Sequence, residues 1–279
     1  VTVFLNGQFV PEEQALVSAF DRGFLYGDGL FETMRVFNGR VFRWDQHLAR
    51  LQRGLEFLRL AFSVRPTELR KTADRLICMN QLPNSLLRLT ISRGVGKRGY
   101  SPVGADTPTI VMSAHPAPEP PAQNGWNVIT STIRLPAGQS LAAFKTCSKL
   151  PQVLARMEAD AAGADEALLL NTDGFLVEGA SSNLFWVQGN QLLTPPLPVG
   201  ILAGVTRAVL LEICDEQRIP TQESALSPEE FMNSQGALVS LSSYGLVPIC
   251  SLDGKRLPVS PIIMQLARVY QDFLRRETA

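Results

Sequence analysis

The chain has 279 residues, 45% of them hydrophobic, with 26 basic against 26 acidic side chains and a formal net charge of zero. That length supports a large buried core and about two domains, and the neutral balance argues against a nucleic-acid or polyanion binder. No apolar run of membrane-spanning length and no signal-peptide pattern is visible, so a cytoplasmic protein with no membrane partner is expected.

In chain order, strand patterns at 2–5 and 8–10 flank Asn6-Gly7, a two-residue hairpin signal, and further strands fall at 31–37 and 40–43. Helical periodicity runs from about Asp45 to Leu60, burying Leu48, Leu51 and Leu55, and again from about Pro66 to Asn80; strands return at 85–93 and 108–114. The run PAPEPPAQN at 116–124 breaks every regular pattern, so the expected division is a first domain at 1–117, a linker at 118–125 and a larger domain at 126–279. The second half holds a strand near 126–133, a helix from Ser148 to Gly163, a hairpin at 166–186, helices from Gly204 to Glu216 and near Ser227 to Met232, strands at 236–241 and 247–251, and a terminal helix at 260–276. This is an α/β layout with mixed sheets. Cys78, Cys147, Cys214 and Cys250 share no metal-ligand spacing, and His47 and His115 lie far apart, so reduced thiols and neither a metal centre nor a serine-histidine triad are expected.

The chemistry gathers in three segments. EALLLNTDGFLVEGASSNLFW at 166–186 carries a hairpin signal at Asp173-Gly174, then delivers Glu178 into Gly179-Ala180-Ser181-Ser182-Asn183, where small residues admit a ligand and offer donors. Upstream, FKTCSKL at 144–150 supplies Lys145 at an expected strand-to-helix junction; downstream, GILAGVTR at 200–207 is a glycine-rich turn opening a helix. Lysine, acid and phosphate cradle are what pyridoxal phosphate needs: a Schiff-base amine, a carboxylate that keeps the pyridine nitrogen protonated, and a helix N-terminus.

With DRGFLYGDGLFET at 21–33, HLARL at 47–51 and ISRGVGKRGYSP at 91–102 added, the chain resembles the fold-type IV pyridoxal phosphate enzymes over nearly its whole length. These comprise branched-chain aminotransferases, D-amino acid aminotransferases and 4-amino-4-deoxychorismate lyases. The resemblance implies a small N-terminal α/β domain and a larger C-terminal mixed-sheet domain with the coenzyme between them, in a homodimer. It implies Lys145 as the reactive amine, Arg50 as a phosphate ligand, Glu178 on the pyridine nitrogen, and the amides of Val205 and Thr206 with the Thr206 and Ser242 hydroxyls on the phosphate. Lys149 stands where relatives place a tyrosine or arginine that donates to the coenzyme ring hydroxyl; that donor role and a solvated lysine are both open. For the substrate it implies Arg98 or Arg93 on a carboxylate, Tyr100 closing the site, and Phe31 at a position where D-amino acid aminotransferases have tyrosine.

The 91–102 loop, the AsnLeuPheTrp segment and the LeuValProIle stretch after Ser242 look most like the lyases. The expected reaction is therefore conversion of 4-amino-4-deoxychorismate to 4-aminobenzoate and pyruvate, a step of folate precursor synthesis. Thr146, Ser148 and Lys149 depart from the lyase pattern, which keeps open a transaminase for D-amino acids or branched-chain L-amino acids with 2-oxoglutarate. A non-catalytic coenzyme-binding protein is the third reading.

Overall fold

A computed structural model describes residues 1–62, 64–121 and 125–279; residues 122–124 of the expected linker lie outside it. The chain divides into two compact units. The first comprises 1–118, 144–149 and 274–279, and the second 119–143 and 150–273. The Lys145 segment thus folds with the N-terminal residues, although it follows the linker in sequence.

In the first unit, β1 (Thr2–Leu5) and β2 (Gln8–Pro11) form a tight hairpin in which Asn6 and Gly7 both have positive φ, 47° and 94°. Two left-handed residues make the primed turn that matches strand twist. A short helix α1 (Arg22–Tyr26), which the apolar pattern does not reveal, precedes β3 (Gly29–Phe37) and the two-residue β4 (Arg40–Val41). Helices α2 (Trp44–Phe57) and α3 (Pro66–Met79) lead to β5 (Ser85–Ser92) and β6 (Thr109–Pro116). The six strands pair in the order β2-β1-β6-β5-β3-β4. Helix α2 stops at Phe57, short of the expected Leu60, because the chain turns through a left-handed Arg59 that returns Leu60 to the core.

Strand β3 alternates cleanly: Leu30, Glu32, Met34 and Val36 are buried, while Phe31, Thr33, Arg35 and Phe37 face the more open side. The buried face packs against Leu51 and Leu55 of α2 and Ala73, Leu76 and Ile77 of α3. A Cβ at Gly54 would come within 2.8 Å of the Leu30 side chain, so the glycine lets α2 lie close on β3.

The second unit begins with β7 (Trp126–Leu135) and α4 (Leu150–Ala161), then β8 (Glu166–Asn171), β9 (Leu176–Gly179), β10 (Asn183–Gln188) and β11 (Gln191–Thr194). Helix α5 (Val205–Glu216), β12 (Thr221–Glu223), α6 (Pro228–Met232), β13 (Ala237–Leu241), β14 (Gly245–Leu252), β15 (Lys255–Arg256) and α7 (Pro261–Glu277) complete it, the last residues of α7 belonging to the first unit. The sheet runs β12-β11-β10-β13-β14-β7-β8-β9, and β9 also pairs with β10, which closes six strands into a ring. Strand β8 is buried along its whole length: Leu168 and Leu170 join the cluster with Trp186 and Val239, while Ala167 and Leu169 join Ala155 and Ala159 of α4. Burial on two faces is why its sequence reads as an unbroken apolar run.

The hairpin ahead of Glu178 is built differently from the two-residue turn expected. Asn171 and Phe175 close a three-residue loop, the amide of Gly174 donating to Asn171 O at 3.0 Å, and only Gly174 is left-handed (φ 87°). The Asn171 side chain explains the longer loop, since its Oδ1 accepts from the amides of Asp173 and Phe175. A register shift between Leu169 and Leu170 then pairs Leu169 with Glu178 and Leu170 with Leu176, leaving Val177 as a bulge immediately before the acid.

Candidate active site

On the first unit, Lys145 lies in a short extended segment alongside the start of β3. It follows a 3-10 turn at Ser140–Ala143 rather than a strand, and α4 starts at Leu150 rather than Ser148. The Phe31 amide donates to Lys145 O at 2.9 Å, Cys147 N donates to Gly29 O at 2.8 Å, and Thr146 bridges Leu30. The backbone is thereby pinned at the lysine, and Nζ stands 4.6 Å from the centroid of the Phe31 ring. Arg88 of β5 also meets that ring, its Cζ 4.0 Å from the centroid. Each contact is worth roughly 0.5–2 kcal/mol. Among the described residues no carboxylate pairs with Arg88, and burial pushes its pKa down from the ordinary value. Arg88 belongs to none of the motifs named above; its place in the alternation of β5, on the face opposite Leu87 and Leu89, is the signal the sequence offers for it.

Behind this face, Glu32 points from β3 toward α2. Its carboxylate accepts from Arg50 Nε at 2.8 Å and Nη2 at 2.5 Å, and lies 2.7 Å from His47 Nδ1. Burial alone raises a carboxyl pKa, yet the charge and hydrogen bonds of Arg50, with His47, hold Glu32 down to about 2. His47 is pushed down by burial, and further by the Arg50 and Lys145 charges, against the pull of Glu32; the neutral imidazole thus donates from Nδ1. Arg50 is therefore a buried, clamped guanidinium, with Arg53 and Arg59 exposed on the solvent side.

Among the residues expected to meet substrate, the two loop arginines separate. Arg93 is buried, with Nε on Asp28 at 2.8 Å and its other nitrogens on the carbonyls of Arg59 and Leu58. That guanidinium braces the fold, with one N–H of each nitrogen already engaged inside the unit, whereas the expected substrate contact needs an outward-facing cation. Arg98 is exposed, and Tyr100 is 87% exposed with its ring 5.5 Å from that of Tyr26. Lys149 is half-buried, and its charge is felt at Cys147, whose thiol is nonetheless pushed up by burial and stays protonated.

On the second unit, half-buried Glu178 accepts from the Leu202 amide at 3.0 Å. Two residues on, Gly204 caps α5 and offers no side chain, so the first-turn amides of Val205 and Thr206, both buried, carry no capping group. An uncapped N-terminus on a 12-residue helix suits an anion. Ser242 is half-buried, and the buried Ser240 Oγ has no hydrogen-bond partner among the described residues. The serines after Glu178 are used otherwise than expected: the hydroxyls of Ser181 and Ser182 donate to the buried Glu166, at 2.6 and 3.2 Å. The acid opening an otherwise apolar strand at Glu166 was the sequence sign of that internal partner.

This donor set fits pyridoxal phosphate. Taken one unit at a time, the first offers an amine on a fixed backbone, and the second a half-buried carboxylate, a helix N-terminus beginning at glycine, and on Ser240 a buried hydroxyl with no partner among the described residues. Comparison with known proteins agrees. The family described as amino-transferase class IV matches residues 29–252, and the chain belongs to that family, whose enzymes depend on pyridoxal 5′-phosphate. A putative branched-chain-amino-acid aminotransferase of Methanocaldococcus jannaschii is 34% identical over 97% of this chain and 95% of its own length. D-alanine aminotransferase of Bacillus licheniformis is 29% identical (99% and 98% covered), and aminodeoxychorismate lyase of Bacillus subtilis 31% (90% and 86%). Among solved structures, the branched-chain aminotransferase of Escherichia coli superposes with a TM-score of 0.93 at 25% identity over 100% of this chain and 96% of its own. The 4-amino-4-deoxychorismate lyase of Pseudomonas aeruginosa gives 0.85 at 33% identity over 99% and 98%.

Proposed function

We propose that the chain is a lyase that converts 4-amino-4-deoxychorismate to 4-aminobenzoate and pyruvate, with Lys145 as its base. The observation that carries the reading is the Phe31 ring, met both by the Lys145 amine and by an Arg88 that no acid among the described residues neutralises. That pairing sets a proton acceptor beside an anchor for a carboxylate, and Arg98 provides a second exposed cation for a substrate that has two carboxylates. When bound, pyridoxal phosphate supplies the aldehyde that captures the substrate amine and a ring that takes up electrons. Lys145 removes the proton from the carbon bearing that amine. The electron pair left behind expels the enolpyruvyl oxygen, the carbocycle becomes aromatic, and the departing enol takes up a proton to become pyruvate. Glu178 holds the proton on the pyridine nitrogen. Arg50, Val205, Thr206 and Ser242 hold the phosphate, Lys149 donates to the ring hydroxyl, and Tyr100 covers the substrate.

Likeness of the 91–102 loop to the lyases supports this reaction, as do the two lyase relatives at 31% and 33% identity. Transamination of a branched-chain or D-amino acid with 2-oxoglutarate is the second reading, favoured by the 34% identical M. jannaschii relative and the D-alanine aminotransferases. Lys145 would serve as the base in both. Product analysis decides. The coenzyme-loaded protein is given 4-amino-4-deoxychorismate, and separately L- and D-amino acids with 2-oxoglutarate. Rapid release of 4-aminobenzoate and pyruvate is expected; keto acids alone would establish the transaminase, and no product in either case a binding protein. A cytoplasmic homodimer is part of the same proposal.

A further inference from the structure

The segment between Ile201 and Gly204 makes three contacts with two side chains of its own unit. Its Leu202 amide donates to Glu178 Oε2 at 3.0 Å, and its Leu202 carbonyl accepts from Asn183 Nδ2 at 2.9 Å. At Gly204 a Cβ would overlap Asn183 Oδ1, so the asparagine side chain occupies the space that any other residue at 204 would need. Asn183 is 5% exposed and sits directly opposite Glu178 where β9 meets β10. One buried amide thus ties the carboxylate's hydrogen-bond donor to the first turn of α5.

We propose that Asn183 is a positioning residue for the coenzyme: by clamping Leu202 and packing against Gly204 it aims the Glu178 carboxylate and sets the opening of the α5 anion cradle together. This rests on the coenzyme-binding reading given above. Both ends of the amide are needed. Nδ2 donates to Leu202 O, and Oδ1 lies at the helix end where a partial negative charge is favoured. An aspartate has the same shape but no donor, so it would face Leu202 O with a second acceptor and place a buried charge beside Glu178. An alanine would leave the Leu202 carbonyl without its partner.

The test uses the coenzyme-free full chain, titrated with pyridoxal phosphate, pyridoxal and inorganic phosphate. Asn183→Ala is expected to weaken pyridoxal phosphate binding about tenfold, the cost of one buried hydrogen bond, and Asn183→Asp to weaken it further. Pyridoxal and phosphate should each bind more weakly too, since the residue acts on both ends. The absorption spectrum of the bound coenzyme in Asn183→Ala should move toward that of Glu178→Gln, a change that a merely structural role would not produce. Wild-type affinity for all three probes with an unchanged spectrum would overturn the proposal, as would an effect confined to the melting temperature of the free protein. Asn183→Ser provides the same readouts if the alanine variant does not fold. A wild-type chain that takes up no pyridoxal phosphate would overturn the coenzyme reading itself, and that is seen before any substitution is made.

Discussion

Glu32 has no exposed surface and still carries its charge, because Arg50 and His47 reach it from one turn of α2. An unfolded glutamate takes up its proton near pH 4.5 and the folded one only at about 2. The pairing therefore stabilises the fold in full above about pH 4.5 and is lost as pH falls through 2; at roughly 1.4 kcal/mol per unit it is worth roughly 3 kcal/mol. His47 acts in the same direction at higher pH. Its pKa is depressed below the ordinary 6.5, so as pH drops through that value the unfolded chain gains a proton that the folded one refuses. Denaturant unfolding followed from pH 7 to 3 should show stability declining in two stages. His47→Gln should flatten the first, and Glu32→Gln should flatten the second while costing about 3–5 kcal/mol at pH 7, because Arg50 loses its buried partner. On the opposite face of β3, Lys145→Ala should lose turnover at least a thousandfold and lose the borohydride-reducible bond to the coenzyme; reduction that still labels the variant would move the role to Lys149. Arg88→Leu should raise KM for a carboxylate-bearing substrate tenfold or more, with a smaller change in kcat, which steady-state kinetics would read directly.

Helix α1 shows how five residues can organise a loop some 75 positions away in sequence. Asp21 caps it by accepting from Gly23 N, Gly27 ends it in a left-handed turn, and Arg22 is carried into the interior. There Arg22 donates from Nε to Asp28 at 2.8 Å and forks onto the carbonyls of Gly99 and Tyr100 at 2.9 Å and Ser101 at 3.2 Å, with the Tyr26 ring 5.0 Å away. Asp28 is shared with Arg93; burial opposes its charge, but the two arginines keep its pKa low. The loop is thus held by its backbone, and the side chains of Arg98 and Tyr100 are left outward. In Arg22→Leu the three carbonyls lose their donors. The 99–101 amides should exchange hydrogen faster while β3 and β5 stay protected, and substrate KM should rise before kcat falls. Uniform exchange across both regions would show that Arg22 supports the unit as a whole and not the loop. None of this was legible beforehand, because a five-residue helix has too few turns for an apolar period and a loop's partners are set by tertiary contact.

At the scale of the whole chain, the elements that could be read were those whose burial is periodic. The two helices at 44–57 and 66–79 and the alternating β3 and β5 declare their faces in sequence, and the Asn6-Gly7 turn declares its φ angles. Short strands whose partners lie far along the chain, such as β11 and β12, do not. Candidate site residues had a position in the sequence where resemblance supplied one, as for Lys145, Glu178 and Arg50. Those defined only by a neighbour in space, Arg88, Glu166 and Asn183, had none. The same distinction applies to the partner of the chain. Around α1 and the loop it holds, Phe20, Phe24, Val95, Tyr100 and Val103 are all exposed, Phe20 by 69% and Phe24 by 76%. Along α4, Leu150, Val153, Leu154 and Met157 stand exposed at helical spacing. Large apolar side chains gathered in this way on each unit are what the homodimer proposed above would cover with a second copy, without another protein. Sedimentation should give twice the mass of one 30.6 kDa chain. Phe24→Asp should shift that mass toward one chain, whereas Glu229→Lys on α6, which belongs to neither set of apolar side chains, should not. A wild-type chain that sediments as a monomer at micromolar concentration would remove the second copy from the argument and leave the exposed Tyr100 and Arg98 to serve their own subunit alone.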